Sequence, residues 1–177
     1  MSKAIWTLVT LATVLVPVAL EAQARSVVVV RTLRRSDRII ADTMGSPFDV
    51  PGSPARAFNA LKEVYAELKI ETALLDSVEL ELGNEKFYKR GSLAGRRLSG
   101  FLECGSGLTG EYADNHRVDL SLVTFVRPKT ADRSTIRSVL LGAAINVTEG
   151  AKPTQYCNSN GQLERLIHQR VTQKLRM

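Results

Sequence analysis

The sequence predicts an α+β fold: an antiparallel sheet of about five strands with two helices packed on one face. Two segments, after residue 53 and after residue 162, carry apolar residues at helical spacing. Between them lie several segments in which apolar and polar residues alternate, as in half-buried strands. Clusters of Gly, Pro, Asn and Asp separate these segments, as expected for the turns of an antiparallel sheet.

Length and composition limit the chain to a few classes. Its 177 residues, 44% hydrophobic and 24% charged, suffice for one ordinary core. Lysine and arginine outnumber aspartate and glutamate by 24 to 18, giving a net charge of +6. The 2 cysteines exclude a cysteine-dense scaffold and a four-cysteine zinc site.

Residues 1–24 have the pattern of a signal peptide. Lys3 supplies a positive start, an apolar run extends over Ala4–Leu20, and Ala22 and Ala24 are the small residues of a cleavage site. We expect cleavage after Ala24 and export to the periplasm or the medium. The alternative is an uncleaved membrane anchor, because arginines follow the apolar run and oppose export of that side. No later apolar stretch is long enough to span a membrane.

Residues 25–44 form a lead-in segment of uncertain order before a single domain over 45–177. The Val-rich stretch Ser26–Leu33 favours a strand. Arg34–Arg38 reads as a charged break, and Ile39–Ala41 as a further short strand.

The first helix is predicted to begin at Ser53-Pro54. Before it, Met44–Pro54 is rich in turn-forming residues. Serine is a favoured N-cap, and proline is favoured at the first helical position. The apolar face of this helix comprises Ala57, Phe58, Leu61, Val64, Tyr65 and Leu68.

The strands are predicted from alternation. Val78, Leu80 and Leu82 alternate with polar residues, and Gly83-Asn84 is a two-residue turn signal. The other predicted strands are Lys86–Arg90, Leu98–Cys104, His116–Arg127 and Thr135–Val147. In the first of these, Phe87 or Tyr88 faces the core, and in the last Gly142 is a bend. In the second, one face carries Leu98, Leu102 and Cys104, and the other carries Phe101. The predicted loops are Gly91–Arg97, Gly105–Asn115, Pro128–Ser134 and Thr148–Tyr156.

The last helix is predicted from Ser159-x-x-Gln162, which matches a capping box. Its apolar stripe comprises Leu163, Leu166, Ile167, Val171 and Leu175. The element order, with strands followed by a long C-terminal helix, resembles that of helix-grip domains, in which this helix lies across a curved antiparallel sheet. Some periplasmic assembly lipoproteins use such domains. The resemblance lies in element order alone, so no functional residues are carried over from it.

Cys104 and Cys157 are predicted to form a disulfide, because exported proteins with two cysteines usually oxidise them. The bridge would tie the last helix to the edge of the sheet. The alternative is a reactive thiol, but the residues beside Cys104 include no base that could activate it.

The search for catalytic groups gives one weak candidate. Ser106, Asp114 and His116 can be drawn as a triad, which would make the chain a small hydrolase, but no GxSxG turn carries the serine. Gly105, Gly107 and Gly110 match GxGxxG, yet a strand rather than a helix is predicted to follow. We therefore predict a protein that is not an enzyme.

Neither a metal nor a cofactor is predicted. HExxH and CxxC are both absent from the sequence. His168 follows Glu164 by four residues and is interpreted as a side-chain pair on a helix flank. Asn146-Val147-Thr148 is a glycosylation sequon, which matters only in a eukaryotic secretory pathway.

Two binding hypotheses remain. The first is an interaction or assembly-support domain of the cell envelope, whose partner is an envelope protein or an anionic lipid or polymer, with nucleic acid excluded by export. Its basic patch would comprise Arg34, Arg35, Arg38, Arg96 and Arg97, unless these belong to an ordinary solvated surface. The second is a carrier for a small apolar ligand in a cavity between sheet and C-terminal helix. That cavity would be lined by Leu98, Leu120, Leu122, Leu140, Leu163 and Ile167, unless these residues fill a closed core.

Overall fold

The computed structural model describes residues 27–32, 35–40, 45–147 and 155–177. The strands are β1 (Val27–Thr32), β2 (Arg35–Ile40), β3 (Pro47–Pro51), β4 (Leu74–Asp76), β5 (Glu81–Arg90), β6 (Ser92–Leu93), β7 (Arg96–Arg97), β8 (Leu102–Glu103), β9 (Ser106–Gly107), β10 (Gly110–Glu111), β11 (Arg117–Thr130), β12 (Arg133–Ile145) and β13 (Gln155–Ser159). The helices are α1 (Pro54–Glu67), α2 (Tyr112–Asn115) and α3 (Gln162–Arg176), with a 3₁₀ turn at Leu98–Gly100. The predicted signal peptide, residues 1–24, lies outside the described residues.

The main sheet is antiparallel, with strand order β4-β5-β11-β12-β13-β8. On one side of β12, β3 pairs with the first part of the strand and β13 with the last part. α1 contacts β11 and β12, α3 contacts β3 and β12, and the two helices contact each other. The α+β class is therefore confirmed, with seven strands in the main sheet instead of about five.

The core lies between the two helices and one face of the sheet. Along β11, the side chains of the predicted face from Val118 to Val126 are buried, and Val123 and Phe125 on the other face are buried as well, in a second, smaller cluster. The apolar residues of the predicted face pack in the main cluster with the apolar stripes of both helices, including Leu61 and Ile167, which are fully buried. Burial of each such side chain contributes roughly 1.5–3 kcal/mol, so this face accounts for most of the hydrophobic stabilisation.

A chain of buried hydroxyls crosses this core. Tyr65 Oη lies 2.8 Å from Thr124 Oγ1, which lies 2.7 Å from Ser138 Oγ. Burial raises the pKa of the Tyr65 hydroxyl above its ordinary value, and the charge of Glu164 raises this pKa further. α1 is thereby joined to two neighbouring strands by polar contacts inside an apolar layer.

Residues 44–54, predicted as a turn, contain the strand β3. Val50 is fully buried and Phe48 is half-buried, so the strand contributes to the core. Proline cannot donate to a ladder and is tolerated at strand ends. Pro47 and Pro51 occupy the two ends of β3, so the turn-forming residues bracket a strand.

The predicted strand around Val78 is wrong, because residues 77–80 form a turn between β4 and β5. Asp76 Oδ1 accepts hydrogen bonds from the backbone N–H groups of Val78 (2.8 Å) and Glu79 (2.9 Å), which fixes the turn. Val78 is 88% exposed. Leu80 has a φ of +53°, which a strand would not allow.

The predicted turn at Gly83-Asn84 is also wrong, since both residues lie within β5. β5 passes so close to β11 that a Cβ on Gly83 would lie 2.2 Å from the Leu122 carbonyl oxygen. Glycine is required here for close approach of two backbones. Of the two aromatic candidates on this strand, Phe87 faces the core and Tyr88 is exposed.

The predicted strand Leu98–Cys104 is reduced to the two residues of β8, preceded by the 3₁₀ turn. The Asp114 carboxylate accepts hydrogen bonds from the N–H (2.9 Å) and the Oγ (2.7 Å) of Ser99, which holds the turn. Phe101, predicted to face away from Leu98, is fully buried with it. Because the 3₁₀ turn interrupts the alternation of a strand, the side chains of Leu98 and Phe101 both reach the core.

Several predicted loops contain short strands. Residues 91–97 form the hairpin β6–β7, and residues 105–115 form the hairpin β9–β10 followed by α2. The predicted charged break at 34–38 lies largely in β2, which pairs with β1 along its length. Tyr156, predicted in a loop, lies in β13. Each segment lacks apolar alternation and becomes a strand only by pairing with a neighbour.

β11 and β12 extend through most of the predicted loop 128–134, leaving a turn at residues 131–132. Gly142 is not a bend, because it pairs with Leu120 on one side and with Cys157 on the other. A Cβ on Gly142 would lie 3.2 Å from Leu102 Cδ1, so the glycine allows close packing.

α3 begins at Gln162, and the predicted capping box does not form. Instead, Ser159 Oγ donates to Glu164 Oε1 (2.6 Å), and Asn160 Oδ1 accepts from the Gln162 N–H (3.0 Å). Gly161 has a φ of +77°, which favours glycine at this position.

Cys104 and Cys157 form the predicted disulfide, with their Cα atoms 4.1 Å apart. Cys157 lies in β13, which leads into α3, and Cys104 directly follows β8. The bridge therefore links the start of the last helix to the outermost strand of the sheet.

Candidate functional site

Alternate side chains of β5 create a basic surface on the face of the sheet opposite the helices. Lys86, Tyr88 and Arg90 are exposed. Arg117 of β11 pairs with Arg90, and Asp119 pairs with Tyr88. We call Lys86, Tyr88, Arg90 and Arg117 the basic surface.

Tyr88 is the most unusual member, because its side chain is 65% exposed. The Arg117 guanidinium lies over its ring, with Cζ 5.8 Å from the centroid, and forms an ion pair with Asp119 (Nε to Oδ1, 3.0 Å). The Arg117 side chain is thus held in place by a ring and a carboxylate. Tyrosine and arginine are both enriched at the centres of protein interfaces.

The structure joins part of the predicted basic patch to this surface. Arg96 and Arg97 are exposed on β7, and Arg97 pairs with Ser92, two residues after Arg90. Arg34 lies outside the described residues, as do the side chains of Arg35 and Arg38. Their hairpin is nevertheless close, because β1, the partner of β2, contacts β5 and β11.

The basic surface itself was not among the sites predicted from the sequence. The alternation of Lys86, Tyr88 and Arg90 around Phe87 was a visible signal in the predicted return strand. Arg117 gave no such signal, since it meets Arg90 only through the pairing of β5 with β11.

A pocket of about 450 Å³ lies at the edge of β12 near the start of α3. There β3 ends its pairing at Arg137 and β13 begins its pairing at Gly142, so the described strands leave the stretch between them uncovered. The pocket is lined by Gly45, Ser46, Phe48, Val139, Leu140, Leu141, Cys157, Asn158, Ser159, Asn160, Gly161, Glu164 and Arg165. It combines apolar strand residues with polar residues before and within the first turn of α3.

The side chains predicted to line an apolar cavity all belong to the main core cluster, where each is nearly or fully buried: Leu98, Leu120, Leu122, Leu140, Leu163 and Ile167. Leu140 also lines the pocket at the edge of β12. A ligand among these core residues stays a prediction.

In the candidate triad of Ser106, Asp114 and His116, the Asp114 carboxylate is bonded elsewhere. Both oxygens of this carboxylate are hydrogen-bonded to Ser99. His116 packs against Tyr112, with ring centroids 4.8 Å apart, and Ser106 lies in β9. The GxGxxG match covers the hairpin β9–β10, and the four-residue helix α2 follows it instead of the predicted strand. The glycines therefore form a hairpin and not the single strand-to-helix turn that a dinucleotide site requires.

His168 does not pair with Glu164 as the helical spacing suggests. Its ring stacks on Phe48, with centroids 4.6 Å apart and planes inclined by 16°, and its Nε2 lies 3.3 Å from the Asp49 carbonyl oxygen. Glu164 is bonded to Ser159 instead. His168 thus fastens α3 to β3.

Among the described residues there is no cluster of three His, Cys, Asp or Glu side chains that could hold a metal ion. None of the described helices combines the length and the apolar character needed to cross a membrane. Comparison of the chain with known protein families, with curated proteins and with solved structures finds no match.

Proposed function

We propose that the chain is an exported interaction domain of the cell envelope that binds an acidic protein partner through the basic surface, without catalysing a reaction. Two features support export: the signal-peptide pattern of residues 1–24 and the disulfide between Cys104 and Cys157. Disulfides are rare in reducing compartments, so the bridge is consistent with export.

The observation that carries the binding proposal is the exposed Tyr88 beside Arg117, whose guanidinium is held by the Tyr88 ring and by Asp119. A tyrosine side chain loses little conformational entropy on binding and buries a large area, so it is a frequent centre of binding energy. Lys86, Arg90 and Arg117 surround it with positive charge. A partner with carboxylates around an apolar recess would complement this surface in both charge and shape.

Site-specific photo-crosslinking in the native host tests the proposal. A photoreactive amino acid in place of Tyr88 should give a discrete crosslinked band with one envelope protein. The same substitution at Val78 is the control, because Val78 is 88% exposed on a turn outside the basic surface. Equal crosslinking from both positions, or a product from neither, would contradict the proposal.

Charge reversal tests the electrostatic part. Arg90→Glu should weaken binding of the crosslinked partner on the order of tenfold, and the difference should shrink as salt is raised. Arg56→Glu is the matched control, because Arg56 is exposed on α1, at the opposite face of the sheet. Co-sedimentation with anionic phospholipid vesicles, lost in Arg90→Glu, would assign the surface to lipid instead.

A further inference from the structure

The pocket at the edge of β12 contains a buried carboxylate that the basic surface does not use. Glu164 is 7% exposed, and it lines the pocket beside Ser159 and Asn160. Ser159 Oγ donates to its Oε1 at 2.6 Å. In the described part of the chain, its Oε2 is buried and has no hydrogen-bond partner.

An unpaired buried carboxylate oxygen is costly, since burial removes its water without replacing the lost hydrogen bonds. The start of α3 offsets part of this cost, because negative charge is favourable in the first turn of a helix. A donor from outside the chain would satisfy the remaining lone pairs. A cationic donor would form the stronger, charge-assisted hydrogen bond.

The other residues of the pocket favour a donor that carries an apolar chain. Phe48, Val139, Leu140 and Leu141 supply apolar side chains or strand backbone along one wall. A short alkyl chain would pack on this wall, and a cation at its end would also be attracted by the Phe48 ring.

One cation already lies at the pocket. The Arg165 guanidinium donates to the Asn160 carbonyl oxygen at 3.3 Å and is exposed, so solvent screens much of its repulsion of a second cation.

We propose that this pocket binds a primary alkylammonium group, such as a lysine side chain or a small amine, with the ammonium donating to Glu164 and the methylene groups packing on the apolar wall. The proposal is independent of the basic surface.

The experiment uses the full chain, as exported, titrated with n-butylammonium chloride and followed by NMR. It is run at about pH 8, where a primary alkylammonium group keeps its charge. We expect saturable shifts centred on the amides of Glu164, Phe48 and Asn158. Glu164→Gln, which keeps the shape and one acceptor, should weaken binding about tenfold. Glu79→Gln, an exposed carboxylate on the turn before β5, should bind as the wild type does.

Each other outcome has a defined meaning. Equal binding of butan-1-ol would overturn the ammonium site and favour an apolar ligand. Shifts outside the pocket, or no saturation, would also overturn it. Because these shifts are measured on the wild type, they test the site even where Glu164→Gln fails to fold. A peptide with one internal lysine that binds more tightly than n-butylammonium would identify a polypeptide as the source. The reverse order would identify a free amine.

Discussion

Tyr65 shows how a single polar atom is accommodated in this core. Its hydroxyl is bonded to Thr124, which is bonded in turn to Ser138. Burial, together with the charge of Glu164, raises the pKa of this hydroxyl. An unfolded tyrosine ionises near pH 10, whereas folded Tyr65 keeps its proton above that pH. Proton loss then favours the unfolded state, so stability falls as pH rises above about 10, whereas below that pH this group makes stability neither rise nor fall with pH.

Tyr65→Phe tests the contribution of this hydroxyl. At neutral pH we expect the free energy of unfolding to fall by about 1 kcal/mol, because the buried hydrogen bond is lost. Above about pH 10 the variant should lose less stability with pH than the wild type does. Urea unfolding of both proteins at about pH 8 and about pH 11 measures both effects.

Tyr88→Phe is the control for this experiment. The Tyr88 hydroxyl lies on a side chain that is 65% exposed, so removing it should change stability by less than about 0.5 kcal/mol. Identical alkaline loss of stability in the wild type and in Tyr65→Phe would show that the Tyr65 proton is not linked to folding.

At the scale of elements, the pairing of β5 with β11 requires a glycine at position 83. A Cβ at Gly83 would lie 2.2 Å from the Leu122 carbonyl oxygen and 2.8 Å from Val123 Cα. Both atoms belong to the backbone of β11, so neither can move without disturbing the ladder. The register between β5 and β11 shifts directly beside this point, between Leu120 and Leu122.

Gly83→Ala should therefore destabilise the fold by about 3 kcal/mol, as overpacking against backbone does. Gly100→Ala is the matched control, because a Cβ there meets nothing within 4 Å. Thermal unfolding of the two variants makes the comparison. A similar change in melting temperature for both would mean that the strands separate easily at Gly83.

The long elements could be predicted from the sequence, because many residues contribute to one periodic pattern. α1, β11, β12 and the apolar stripe of α3 are of this kind. The segment around Val78 alternates over only a few residues, and one carboxylate, Asp76, is enough to make it a turn. β3 and β13 are defined by pairing with β12, which no local pattern reveals.

The candidate surfaces were predictable only in part, for the same reason. Arg96 and Arg97 are adjacent in sequence and could be singled out as a cluster. Arg90 and Arg117 become neighbours through strand pairing. The burial of Glu164 depends on the packing of α3 against the sheet, so its position on the helix alone gave no signal.

For the whole molecule, the disulfide is the strongest single constraint. It joins residues separated by 53 positions, and the loop it closes contains both β11 and β12. Loop-closure entropy gives about 4 kcal/mol as the upper stabilisation for such a loop. The double variant Cys104→Ala, Cys157→Ala should lose up to this amount, measured by urea unfolding.

Intact mass spectrometry provides the control for the disulfide prediction. The wild type should be two hydrogens lighter than the reduced chain and should release two thiols only after reduction and unfolding. Equal stability of the wild type and the double variant would show that the sheet holds β8 and β13 together without the bridge.

The two outermost strands of the main sheet, β4 and β8, have 3 and 2 residues. An exposed long edge invites another chain to add a strand, which is a common route to fibrils. β5 has a longer outer edge, because β4 pairs with it only over Glu81–Gly83 and Asn84–Arg90 follow beyond that pairing. This stretch carries Lys86 and Arg90, and charged side chains on an edge oppose the addition of a second copy of the chain. The charges beside Tyr88 would therefore hinder self-association as well as attract a partner.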